Sequence, residues 1–253
     1  MTAKINVDTT SLAYRQMAAD LGLVNALMGG TDAMRAAGEL YLPREPKETV
    51  EAYRNRLSRS VLYNAFNDTI QKMVGKPFCK PVTLLSDTPE KITGWSENID
   101  RAGSNITTFC RNIFQSGLID GVTHVLVDFP RSAPGQSLAD EQAQDIRPYA
   151  VHVKASDLIA WQTKTVAGVK QLTQIRIRET ETEADGQWGE KQVERVRVIY
   201  PDRYELYQKA KRNQWNIVEQ GELSLGRIPL VTFYTNKTGF MTGTPPLLDL
   251  AHL

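Results

Sequence analysis

The sequence predicts an α+β fold: N-terminal helices, then a helix-flanked central strand, then an antiparallel β-meander. Three observations carry that prediction. Met17, Leu21, Val24 and Met28 recur at steps of three and four, the spacing of one helix face. The run Gly121-Val122-Thr123-His124-Val125-Leu126-Val127-Asp128-Phe129-Pro130 is mostly apolar on both parities, as in a strand buried on both faces. From Thr173 onward the period changes to two. Thr173, Ile175 and Ile177 alternate with Gln174, Arg176 and Arg178, and Val196, Val198 and Tyr200 alternate with Arg195, Arg197 and Ile199.

Taken in order, the first helix ends at Gly29-Gly30, and Thr31 or Asp32 caps a second short helix running to Gly38. Pro43 and Pro46 force an extended connector. Glu48 to Val74 then reads as one long helix, with Val50, Tyr53, Leu57, Val61, Ala65 and Met73 along a stripe and Arg54, Arg56, Arg59 and Asn67 opposite. Gly75-Lys76-Pro77 stops it. Pro77 to Leu85 is a short strand or extended segment. Asp87-Thr88-Pro89-Glu90 starts a helix with a capping side chain and a first-turn proline, and its apolar side carries Ile92, Trp95 and Ile99. Ser104 caps the next helix, whose Ile106, Phe109, Cys110, Ile113 and Phe114 feed the central strand.

After Pro130 comes a surface loop, a short acidic helix over 137–145 and a brief strand over Ala150–Val153. Residues 170–235 form the meander, with one face apolar and the other charged. Ala184-Asp185-Gly186-Gln187-Trp188-Gly189 is a hairpin connector. Pro246 to Leu253 begins a further helix. The predicted organisation is an N-terminal helical region over 1–80, an α/β domain with an antiparallel sheet over 81–245, and a helix start over 246–253.

Composition narrows the function classes. The 253 residues carry a net charge of +1, divided as +3 over 1–80, −4 over 81–160 and +2 over 161–253, so no segment is a polyanion-binding tail. Two cysteines, Cys79 and Cys110, cannot supply a disulfide framework or a four-cysteine metal site. Met1 to Thr10 lacks the layout of a signal peptide, and no apolar run approaches the roughly 20 residues needed to cross a bilayer. A soluble protein in a reducing compartment is expected.

Chemistry is sparse. Neither Gly-x-x-x-x-Gly-Lys-Ser/Thr nor Gly-x-Gly-x-x-Gly after a strand occurs, and Gly-x-Ser-x-Gly is missing. The histidines His124, His152 and His252 belong to no metal-binding pattern. His124 and His152 fall on neighbouring strands, and with Asp128 and Asp157 they define the alternative reading, a small α/β metal-dependent hydrolase or nuclease. The favoured reading is that each is a structural residue, separated by strand parity. Arg176, Arg178, Arg195, Arg197 and Arg203 could track a phosphate backbone, but Glu179, Glu194 and Glu205 are interleaved, which cross-strand ion pairs explain better. Of Trp95, Trp161, Trp188 and Trp215, only Trp215 is placed for base stacking. Asp140-Glu141 lie in the acidic helix without a partner in view. No catalytic, metal or cofactor residue is assigned, and no cofactor is called for.

Several stretches in series do resemble one family. They are Arg35-Ala36-Ala37-Gly38-Glu39-Leu40-Tyr41-Leu42-Pro43-Arg44, Arg56-Leu57-Ser58-Arg59-Ser60-Val61-Leu62-Tyr63-Asn64-Ala65-Phe66, and the strand Gly121 to Pro130. To these are added Arg147-Pro148-Tyr149, Gln174-Ile175-Arg176-Ile177, Ile228-Pro229-Leu230-Val231 and Pro245-Pro246-Leu247-Leu248-Asp249-Leu250-Ala251. Their order and spacing resemble the portal proteins of tailed bacteriophages and prophages, from about residue 15 to the C-terminus. The resemblance implies a structural part rather than an enzyme. Portals form a ring, usually of twelve subunits, at one capsid vertex. The ring passes double-stranded DNA, docks terminase, and contacts capsid or scaffold and head–tail connector proteins. Residues 1–253 would be most of the wing, with the stem helix beginning after the stretch Pro245 to Ala251 and the stem, clip and crown missing. Virion localisation, with assembly in the host cytoplasm, follows from the same resemblance, as does the absence of any membrane partner. Which residues face DNA is left open.

Overall fold

The structure is a computed structural model, and it describes residues 6–130 and 144–252. The expected loop after Pro130 and the acidic helix, with Asp140-Glu141, lie almost wholly outside the described residues. The class is α+β, as the periodicities predict. The chain divides into two compact units, each made of two stretches: Met1–Gln16 with His124–Thr232, and Met17–Thr123 with Phe233–Leu253. The expected division into consecutive segments 1–80, 81–245 and 246–253 does not match these units. The three dividing points fall inside one helix and two strands rather than in connectors.

The helical unit is built on α1 (Leu12–Met28), which buries Met17, Leu21, Val24 and Leu27. α2 (Gly30–Ala37) has Gly29 at its N-cap and no side-chain cap. Thr31 faces elsewhere, its Oγ1 accepting from the Leu62 amide at 3.2 Å. The long helix expected over Glu48–Val74 is two helices, α3 (Val50–Arg59) and α4 (Ala65–Gly75). The break has a cause in hydrogen bonding. Ser60 is extended (φ −65°, ψ 134°), and its carbonyl accepts from Arg35 Nε at 2.9 Å. Asn64 then caps α4, its Oδ1 accepting from the Asn67 amide at 2.9 Å. Side-chain bonds outcompete helix continuation here, and Val61, expected on the apolar stripe, is 77% exposed.

Two further caps differ from expectation. α5 (Glu90–Trp95) follows Pro89 with no side-chain cap. α6 (Ile106–Asp120) is capped by Asn105, not Ser104; the Asn105 side chain accepts from the Thr108 amide at 2.9 Å. Pro77–Leu85 holds a 3₁₀ turn at Pro77–Cys79 and no strand. α6 buries Phe109, Ile113, Gly117 and Leu118, and Phe114 packs edge-on against Phe233 at 6.3 Å. A Cβ at Gly117 would lie 2.8 Å from the Phe233 ring, so only glycine permits that approach.

α6 ends at Gly121 in the left-handed conformation (φ 80°) and the chain enters β1 (Val122–Asp128). β1 is the middle strand of a three-stranded sheet, between β2 (Tyr149–Lys154) and β8 (Leu230–Tyr234). Val122, Thr123, His124 and Leu126 are buried, while Val127 and Phe129 are exposed. The inner half of the run therefore matches the sequence prediction and the outer half does not.

The second sheet has the order β3-β4-β5-β6-β7, with antiparallel neighbours throughout: β3 (Leu158–Val166), β4 (Val169–Asp185), β5 (Gly189–Ile199), β6 (Arg203–Lys209) and β7 (Trp215–Glu222). The meander is real but shifted. It begins at β3, and β8, expected to be part of it, belongs to the three-stranded sheet. β9 (Lys237–Gly239) and β10 (Thr242–Gly243) form a small hairpin. The short α7 (Leu248–Ala251) occupies the expected C-terminal helix start.

The expected apolar and charged faces are not what the register produces. Residues opposite one another across antiparallel strands share a face. Ile177 is opposite Arg197, Arg176 is opposite Val198, and Arg178 is opposite Val196. Each strand alternates, but neighbouring strands alternate out of phase, so both faces mix apolar and charged positions. One face carries a core of Ile159, Val196 and Val198, covered by Val7, Tyr14, Tyr200, Tyr207 and Trp215. The other carries Ile175, Ile177, Ile199 and Leu206, also buried. A sheet that buries apolar side chains on both faces has no single wet side.

Candidate functional site

The sheet's mixed faces bring charged side chains into half-buried positions, and each finds a partner. On the face bearing Ile177, Arg197 Nε donates to Glu179 Oε1 at 2.7 Å and a second guanidinium nitrogen reaches Oε2 at 3.3 Å. Asp128, at the end of β1, lies 3.8 Å from the same guanidinium. Tyr149, opening β2, donates its hydroxyl to Asp128 Oδ2 at 2.9 Å. Four residues from β1, β2, β4 and β5 thus form one polar network, each about one-quarter to one-third exposed where ion-paired. The two-pronged guanidinium–carboxylate geometry makes it orienting as well as attractive. Asp128, weighed as a metal or acid–base residue, spends its oxygens here.

The other three members of that set are distributed nearby. His124 is fully buried on β1, with Nδ1 3.1 Å from Thr232 Oγ1, while its Nε2 has no hydrogen-bond partner among the described residues. Burial pushes its pKa down to about 3, with the charge of neighbouring His152 adding to the effect. His152 is pushed down to about 4, by burial first and Lys154 second. Both histidines are neutral near pH 7. Asp157 is raised above the ordinary carboxylate value by burial, against the opposing effects of Ser156, Lys154 and Arg178. No group of three or more His, Cys, Asp or Glu side chains is placed to hold a metal ion among the described residues. A shallow cavity of about 420 Å³ adjoins His152 and Asp157 and is lined also by Leu126, Ile177, Arg178 and Glu179.

The arginines weighed as a phosphate track are mostly neutralised within the sheet. Arg195 donates to Glu181 and to Glu183, the latter at 2.7 Å, and to Gln208 at 3.1 Å. Arg203 pairs with Glu205 at 3.2 Å and stacks over Tyr200 at 4.0 Å. Arg176 donates to the Val7 carbonyl at 2.8 Å. Arg178 is exposed and lines a second cavity of about 410 Å³ with Asp8, Thr180, Gln192, Glu194 and Trp215. Trp215, the one tryptophan placed for stacking, packs instead against the Val196–Val198 core with its indole nitrogen buried. Trp188 stands 89% exposed in the β4–β5 turn.

Tyr149 and Glu48 were not singled out as polar anchors from the sequence, whereas Glu179 was expected to ion-pair with the sheet arginines, as it does with Arg197. Glu48 takes both Arg56 nitrogens at 2.9 and 2.8 Å, which holds its carboxyl below the ordinary value. Alternation flagged the arginines; only register shows which acid meets which base. No helix among the described residues is long and apolar enough to cross a membrane. No protein-family model matches the chain, and comparison with curated proteins finds no significant match.

Proposed function

We propose that this chain is the wing region of a portal-type ring subunit: a structural part of a virion, placed at a capsid vertex, through whose ring double-stranded DNA is packaged and ejected. Its partners are copies of itself, terminase, capsid or scaffold proteins and a head–tail connector, and assembly takes place in the host cytoplasm.

The observation that carries the reading is that the stretches bearing the resemblance bond to one another, although they are far apart in sequence. Arg35, in the first stretch, donates to the Ser60 carbonyl in the second, and Arg56 of the second donates to Pro43 of the first at 3.0 Å. Val127 of the Gly121–Pro130 stretch donates its amide to the Pro229 carbonyl at 2.9 Å. Tyr149 of Arg147-Pro148-Tyr149 donates to Asp128 of the same central stretch. Thr244, just before Pro245-Pro246, closes on Gly121, where a Cβ would meet the Thr244 carbonyl oxygen at 2.2 Å. A series of motifs that serve as each other's joints is what a shape-holding part requires. Their bonds are structural ones, and Arg195, Arg197 and Arg203 on the sheet are paired with carboxylates.

Native mass spectrometry of the protein produced from its native gene tests the reading. A closed multiple of the subunit mass, near twelve, is expected. A monomer at every concentration and salt would contradict it.

A further inference from the structure

We propose that the two ends of β4 are complementary arms through which one copy of this chain docks head-to-tail on the next, a basic hairpin on one copy meeting an acidic hairpin on its neighbour. The proposal deepens the ring reading and rests on it for the order of assembly, but its evidence is the register of the sheet.

β4 is seventeen residues long, roughly 55 Å at about 3.3 Å per residue. It pairs with β3 only through Val169–Ile177 and with β5 only through Ile175–Asp185. β5 in turn pairs with β6 only through Arg195–Ile199. Each end of β4 therefore runs out of the sheet as one half of a two-stranded ribbon with no third strand beside it. The first ribbon is Gln162–Val166 against Val169–Gln174, turning at Ala167 (φ 49°) and Gly168 (φ 80°). The second is Thr180–Asp185 against Gly189–Glu194, turning at Gly186 (φ 74°). A protruding ribbon presents its outer edge amides and carbonyls, the surface a further strand adds to.

The arms differ in charge. Residues 162–172 contain Lys164 and Lys170 and no acid. Residues 180–194 contain Glu181, Glu183, Asp185, Glu190 and Glu194 against Lys191 alone. Arg195 neutralises Glu181 and Glu183 at the arm's base, and Lys209 holds Glu194 at 2.6 Å. Asp185 and Glu190, at the tip, form no ion pair among the described residues, so the excess negative charge sits at the end that projects. Exposed apolar side chains mark both tips: Val166 and Val169 on the basic arm, and Trp188, 89% exposed, on the acidic one.

The arms lie at opposite ends of one strand, so a single copy cannot bring them together. Pairing must run between copies, and a contact joining unlike ends is heterologous, the kind that closes rings. Charge complementarity of this sort selects partner and orientation and weakens with salt.

A charge-swap cycle on the whole chain tests the proposal by sedimentation velocity across concentration and salt. The wild-type chain is expected to self-associate more strongly at low salt. K164E/K170E makes both arms acidic, and D185K/E190K makes the acidic tip basic. Each alone should self-associate at least about tenfold more weakly, and an equimolar mixture of the two should recover association. Recovery in the mixture shows that both variants fold. Wild-type association unaltered by either swap, or no wild-type association at low salt, overturns the arm contact. Failure of the ring reading looks different: the swap cycle works, yet the assemblies are open chains rather than closed rings.

Discussion

His124 and His152 are bases held neutral by burial, and that fixes the sign of their contribution to stability. Unfolded, each titrates near 6.5; folded, they titrate near 3 and 4. As pH falls below 6.5 the unfolded chain takes up protons that the folded chain refuses, so stability falls. Between pH 7 and 5, His124 alone is expected to cost about 2 kcal/mol, at about 1.4 kcal/mol per pH unit once well below 6.5. His152 acts in the same direction, whereas Asp157, raised by burial, acts in the opposite one. Comparing urea midpoints of wild type and His124→Asn at both pH values isolates the His124 share, since the other groups are common to both. A wild-type loss no greater than that of the variant would refute the assignment. Gly121 makes a second prediction at this scale. Its φ of 80° excludes most side chains, and a Cβ would press on the Thr244 backbone at 2.2 Å. Gly30 has a similar φ of 72° but open space around it. Gly30→Ala should therefore cost about 1 kcal/mol, the left-handed penalty, and Gly121→Ala about 3 kcal/mol or more, measured by the same denaturation.

At the scale of elements, the break between α3 and α4 rests on Asn64, which caps α4 and also donates to the Leu27 carbonyl. Asn64→Ala should lower stability by about 1–2 kcal/mol and speed amide exchange in the first turn of α4 before that of α6. Ion pairs in the sheet should differ by burial. Arg197→Ala strands the half-buried Glu179 and Asp128 carboxylates, an expected loss of about 2 kcal/mol, against under about 1 kcal/mol for the more exposed Arg203→Ala. These elements also show what the sequence could and could not tell. α1, α6, β1 and the meander hairpins were legible because apolar periodicity and glycine placement are local signals. The α3–α4 break was not, because Arg35, Thr31 and Leu27 impose it from elsewhere in the chain. The faces of the sheet were misjudged for a related reason. Alternation fixes which residues of a strand share a side, and only the register says which side of the next strand they meet. The Tyr149–Asp128 link is long-range in the same way, whereas ion pairing of Arg197 with an interleaved glutamate was expected from the alternation.

At the scale of the molecule, each unit is built from separated stretches of chain, joined in one by Ser11 and Tyr14 bonding to Ile159 and Ser156 and in the other by Thr244 closing on Gly121. The sheet contributes in two ways. Its centre is a two-sided core in which Arg195, Arg197 and Arg203 pair with carboxylates, which weakens the fit of a phosphate track along its arginines. Its ends leave the core as two-stranded ribbons of opposite charge. Negative-stain electron microscopy of the protein made from its native gene tests the proposed ring most directly. Closed rings with an axial channel and near-twelvefold symmetry are the predicted images, and a field of single particles without rings, at low salt and high concentration, would contradict them.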